Sequence, residues 1–150
     1  MSSKVIMFTD VSQLMQKRAR FQLGTNEDPC EVQFGLHDID EGATWRGITI
    51  IPSEADIELF KLFNEQHEVM QDIVKDHDDI PTIKVKVNLK TTKVVNANKT
   101  IASFKDVCNE RRCKIIVSTR HWKMNEQRGI CLRALAIQLI DDDAEEMEFL

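Results

Sequence analysis

The chain has no tyrosine, nine aromatic residues in all, five glycines and three prolines among its 150 residues. It carries no Gly-rich phosphate loop, no GxSxG elbow and no HExxH zinc site, so the common enzyme signatures have no footing. No apolar run approaches the roughly 18 residues of a transmembrane helix. The first ten residues hold only a four-residue apolar stretch, Val5 to Phe8, short of the roughly 7 to 15 residues of a secretory signal core. Four cysteines, Cys30, Cys108, Cys113 and Cys131, form no CxxC pair, which leaves a zinc ribbon or redox motif without its spacing. These absences predict an intracellular protein, in cytoplasm or nucleus, with structural thiols, no cofactor, no bound metal and no catalytic group. Asn98-Lys99-Thr100 then reads as a turn and not as a glycosylation acceptor.

What is present suits one compact domain. Hydrophobic residues make up 42% and charged residues 30%, too apolar for a disordered chain, and 150 residues can bury about two thirds of the unfolded surface without staples. The formal charge is −5, which taken alone argues against a polyanionic partner. Its distribution says otherwise. Residues 1–25 sum to +3, residues 26–80 to −12, residues 81–140 to +10 and residues 141–150 to −6. Such asymmetry points to a basic surface beside acidic ones and to an acidic tail. The expected organisation is a single domain over residues 1–140 followed by a tail over 141–150.

Along the chain, residues 16–23 read as a weak strand or the end of a short helix begun at Val11. Residues 31–36 and 44–51 read as a hairpin around the polar loop 37–42. Ser53-Glu54-Ala55-Asp56 fits a capping box. Ala55, Leu59, Leu62, Phe63, Val69, Met70 and Ile73 then recur at helical spacing, predicting a helix over 55–73 that stops within Lys75 to Pro81, at Asp76-His77-Asp78-Asp79 before a proline that restricts the residue preceding it. Ile83, Val85, Val87 and Leu89 alternate with Lys84, Lys86, Asn88 and Lys90, a strict period of two with lysines on one face. Residues 113–119 and 129–140 read as further strands, with 120–129 a polar connection between them. Strands, one amphipathic helix and more strands give a mainly β (α+β) fold, compatible with an OB-type barrel of five or six strands whose sheet face and loops bind oligonucleotides.

The basic block concentrates thirteen cations in sixty residues, opposed only by Asp106, Glu110 and Glu126. Lys84, Lys86, Lys90, Lys93, Arg111, Arg112, Lys114, Arg120, Lys123 and Arg128 are the candidates for phosphate contact, a role that releases counterions and makes affinity fall with salt. Lysines on a solvent face also keep sheets soluble; it is their density that favours binding. Single strands additionally need flat side chains on which bases stack. Trp122, set among cations in Arg120-His121-Trp122-Lys123, and Trp45 beside Arg46 are the candidates. The tail carries Asp141, Asp142, Asp143, Glu145, Glu146 and Glu148 and ends in Phe149 and Leu150. A mobile polyanion can occupy the protein's own basic groove, and its apolar tip can be captured by a partner.

These features resemble the single-stranded-DNA-binding proteins of viruses, especially those of short-tailed bacteriophages. The resemblance rests on Gln33-Phe34-Gly35-Leu36, Trp45-Arg46-Gly47, the amphipathic helix, Ile83-Lys84-Val85-Lys86-Val87, the apolar strand from Gly129 to Leu139 and the acidic tail with Phe149. It implies a non-enzymatic OB barrel that coats single-stranded DNA, or RNA, during replication or recombination, with a tail that recruits replication proteins. The short tail, its terminal Leu150 and the scarcity of aromatics depart from that pattern. The competing reading is a self-associating or virion-structural module held together by its acidic and basic blocks. A weaker one is a metal-dependent nuclease using His37-Asp38-Ile39-Asp40-Glu41 or Asp76-His77-Asp78-Asp79; turn chemistry explains both clusters as well.

Overall fold

The computed structural model describes residues 6–36 and 42–140. The loop residues 37–41 and the acidic tail 141–150 lie outside the described residues, and so do the expectations placed on them.

A short helix α1 (Ser12–Met15) leads into β1 (Arg20–Leu23), so both readings of this segment hold in part. Then come β2 (Cys30–Phe34), β3 (Trp45–Ile51), α2 (Glu54–Gln66), β4 (Lys75–His77), β5 (Ile80–Asn88), β6 (Lys93–Val95), a 3-10 turn (Phe104–Asp106), β7 (Arg112–Met124) and β8 (Gln127–Leu139). Strands β2, β3, β5, β8 and β7 close a five-stranded barrel. Its neighbours are antiparallel except β5 and β8, which run parallel with Val85 opposite Leu132 and Val87 opposite Ala134. The barrel is uneven because β7 and β8 are long: β1 takes over from β2 along β7, and β6 takes over from β5 along β8. The expected OB-type barrel with one inserted helix is the fold observed.

The period of two seen in the sequence sorts the strands into an inner and an outer face. Val32, Ile48, Ile50, Ile83, Val85, Val87, Ile115, Val117 and Leu132 fill the interior, all essentially inaccessible. Phe60 and Phe63 of α2 join this core, and Phe8 stacks on Phe21 (4.8 Å) and packs tilted against Phe60 (4.9 Å). The helix start is fixed by carboxylates and a hydroxyl. Asp28 accepts the Glu54 and Ala55 amides, and Ser53 Oγ accepts that of Asp56, which satisfies donors that a helix N-terminus otherwise leaves open. The Asp56 carboxylate accepts the Gly24 amide at 2.8 Å instead of closing the expected capping box. Gly24 is at φ +81, with the Cys30 and Cys113 backbones close by. Burial pushes the Asp56 carboxyl up to about 6, against the lowering effect of the Ser53 and Gly24 hydrogen bonds.

Three expectations are corrected. The helix stops at Gln66 and does not reach Ile73, because the Asn64 side chain accepts the Ile73 amide and donates to the Val74 carbonyl, folding the chain back beside the helix. The apolar spacing therefore misassigned Val69, which is exposed, and missed Phe60, which is buried. Residues 120–129 are not a loose connection: β7 and β8 continue as a hairpin arm turned at Asn125 and Glu126. This arm is braced by His121 Nε2 against the Leu14 carbonyl at 2.8 Å and by the Gln71 amide donating to the Arg128 carbonyl. Finally, Asp76-His77-Asp78-Asp79 ends no helix. Asp78 and Asp79, both at positive φ, make the two-residue turn of a β4–β5 hairpin, the geometry that such short hairpin loops require.

Candidate nucleic-acid interface

The outer face of the barrel collects the side chains that the inner face rejects. Register places Gly47, Lys86, Arg133 and Ser118 in one row across β3, β5, β8 and β7. A neighbouring row aligns Phe34, Thr49 and Lys84 across β2, β3 and β5. Beside them, between β5 and the β7–β8 arm, runs a groove of about 660 Å³. Lys75, Lys84, Lys86, Arg120 and Arg133 line it, with Asp72 as the single carboxylate. Among the described residues these five cations form no ion pair. Several like charges on one open surface are costly for the protein alone and suited to a polyanion.

Two of the cations are aimed by specific contacts. The Arg120 guanidinium donates to Ser118 Oγ and to the Thr119 carbonyl, both at 3.0 Å. The Arg133 guanidinium lies over the Trp45 ring, 4.9 Å from its centroid, a cation–π arrangement. Arg133 Nε is buried with no hydrogen-bond partner among the described residues. Trp45 remains 43% exposed at the start of β3. Trp122 is half-buried, lines the groove, and lies flat on Gly129 directly across the arm: a Cβ at position 129 would overlap the indole. Glycine is required there by close approach and not by backbone conformation. At Gly47 the opposite holds, since a side chain would meet nothing within 4 Å, and its absence leaves open strand backbone between Trp45 and Thr49.

The basic residues singled out in the sequence divide into groups. Lys84, Lys86, Arg120 and Trp122 converge on the groove, with Trp45 at its border over Arg133. Arg112 and Lys114 instead join Lys99 around a separate hollow that includes Ile140, at the start of β7 and the end of β8. Lys114 and Arg120 are six residues apart on β7, about 20 Å along the strand. Lys123 and Arg128 face each other near the tip of the arm, and Lys90 and Lys93 are exposed around the β5–β6 turn. Arg111 donates weakly to the Asp106 carbonyl. Arg46 has the parity of Ile48 and Ile50, so it leaves β3 on the opposite face from Trp45. Lys75 is a groove cation that the sequence did not single out, and Arg133 one that it counts in the basic block without placing it among the candidate contacts. The first sits in an acidic stretch and the second in an apolar strand, where only outward parity marks it.

No family model and no curated relative matches the sequence. Solved structures do match its shape. The single-stranded DNA-binding protein of bacteriophage Enc34, solved in complex with ssDNA, superposes with a TM-score of 0.58 at 12% identity, covering 95% of this chain and 98% of that one. The gp2.5 protein of bacteriophage T7, a single-stranded DNA-binding protein, gives 0.54 at 16% identity over 86% of this chain and 94% of that one. The fold is that of the phage single-stranded-DNA-binding proteins. This agrees with the resemblance drawn from the sequence, including its OB-type barrel. At such low identity the likeness to these phage proteins is one of fold.

Proposed function

We propose that this protein is a non-enzymatic binder of single-stranded DNA that coats exposed strands during replication or recombination. The observation that carries this reading is the one-sidedly cationic groove with Trp45 and Trp122 at its border and wall, on a barrel shaped like that of a protein solved with ssDNA. Lys84, Lys86, Arg120 and Arg133 meet phosphates, with Lys75 at the margin. Trp45 and Trp122 offer faces to bases, each stack worth about 1 to 3 kcal/mol. The second basic hollow, with Arg112 and Lys114, lies beside Ile140, where the chain passes into the acidic tail. The tail competes with DNA for the basic surfaces and, once displaced, recruits replication partners.

The test is a fluorescence-anisotropy titration of labelled single-stranded and duplex oligonucleotides at rising salt. Binding should prefer the single strand, and log affinity should fall linearly with log salt, by about 0.7 per phosphate contact. No binding at low salt would sink the proposal.

A further inference from the structure

The groove accounts for Trp45 and Trp122 but leaves one aromatic side chain of the same face unexplained. Phe34, at the end of β2, is 47% exposed, although a phenylalanine gains most by burial. Its partner across the sheet is Thr49, whose own partner is Lys84. An irregularity in pairing between Val32 and Phe34 keeps Phe34 on the outer side while Val32 stays in the core. The ring is held edge-on by His77 at 5.8 Å between centroids. His77 is carried by the β4–β5 hairpin, opposite the exposed Ile80, and Lys75 two residues earlier lines the groove. Phe34 and His77 thus form an aromatic ledge flanked by groove lysines.

We infer that Phe34, oriented by His77, stacks on a nucleobase at the end of the groove opposite Trp45. This rests on the reading of the groove as a single-strand site. Charge continuity decides the occupant: a base reaching Phe34 has its phosphates beside Lys84 and Lys75, whereas a purely apolar partner would have to desolvate both lysines. Trp45 and Thr49 are four residues apart on β3, about 13 Å along the strand. Aromatic positions on one sheet face are what RNA-binding sheets use to stack two or three bases. Between Trp45 and Thr49 lie Gly47, without a side chain, and the row of Lys86 and Arg133.

The test uses the full chain with Phe34→Ala, Phe34→Leu and Phe34→Trp, titrated with a labelled single-stranded DNA 16-mer and the same oligonucleotide carrying single abasic positions. Alanine and leucine should weaken binding by about 5- to 150-fold, the equivalent of one lost stack; tryptophan should retain affinity. The salt slope should not change, since no phosphate contact is removed. One abasic position should weaken the wild type but not Phe34→Leu. Thermal unfolding of the leucine variant, which keeps apolar contact, separates stacking from misfolding. Wild-type affinity in both Phe34→Ala and Phe34→Leu overturns the inference while leaving the groove reading intact; absence of binding by the wild type overturns the groove reading itself. A loss of self-association without loss of DNA affinity would assign the ledge to a second copy instead and also overturn it.

Discussion

Two regions of this molecule treat charge in opposite ways. At the start of α2, Asp28 and Asp56 are tied to backbone amides and Asp56 is only 3% exposed. Across the groove, Lys84, Lys86, Arg120 and Arg133 face a common space and form no ion pair among the described residues, Asp72 being the one carboxylate in the lining. Charge at the helix end is used up by the fold, and its cost or benefit shows in stability. Charge in the groove is left over by the fold, and on the proposed function its benefit shows when a polyanion arrives. The −5 net charge averages these two uses and predicts neither.

The largest effect that would separate them comes from Asp56. Its carboxyl is pushed up to about 6 by burial, from an ordinary 3.8, so the fold favours the protonated form. The stability this contributes is complete below about pH 4 and is lost as pH rises through about 6. A shift of roughly two units corresponds to about 3 kcal/mol between those limits. Urea unfolding of the wild type and of Asp56→Asn across pH 4 to 7.5 should differ in slope, with the asparagine variant lacking this decline. Parallel profiles would show that Asp56 is not the titrating group. DNA affinity, corrected for folded fraction, should not distinguish the two proteins.

The converse experiment removes groove charge. Lys84→Ala with Lys86→Ala should lower the salt slope by about 1.4 and weaken single-strand binding by about tenfold to thirtyfold at 0.1 M salt. Stability should stay within about 0.5 kcal/mol, as for exposed substitutions without structural partners. A large loss of stability with an unchanged slope would reverse the contrast between the two regions.

Much of this arrangement was written in local periodicity. The alternation from Ile83 to Lys90 predicts both the core face and the lysine face of β5, and Ser53 marks the helix start. What periodicity could not supply is pairing. Arg133 becomes a groove residue because Lys86 is its neighbour on a parallel strand, and Phe34 joins the face through its partner Thr49; both facts depend on register across distant segments. The helix end was misplaced for a related reason: Asn64 bonds to residues nine and ten positions later, a tertiary device that no helical pattern reveals. The β4–β5 turn escaped because two aspartates, not an Asn-Gly pair, take its positive φ values.

The smallest effect, and the one that sharpens the comparison most, concerns the tail. The Ile140 amide donates to the Arg112 carbonyl, and Ile140 borders the hollow of Lys99, Arg112 and Lys114. Asp141, Asp142 and Asp143 follow Ile140 in sequence. The eight residues that follow Ile140, through Glu148, span at most about 28 Å when extended, more than the roughly 20 Å that separates Lys114 from Arg120 along β7, so the distal acidic part of the tail is long enough to reach the groove. If the tail occupies basic surface for half to four fifths of the time, deleting residues 141–150 tightens DNA binding by about two- to fivefold. The gain should shrink as salt screens the competition. Neutralising only Asp141, Asp142 and Asp143 should recover less of it than neutralising Glu145, Glu146 and Glu148 if the groove is the main binding surface, as proposed. Equal affinity with and without the tail would reject competition and leave the acidic residues to act on partners alone.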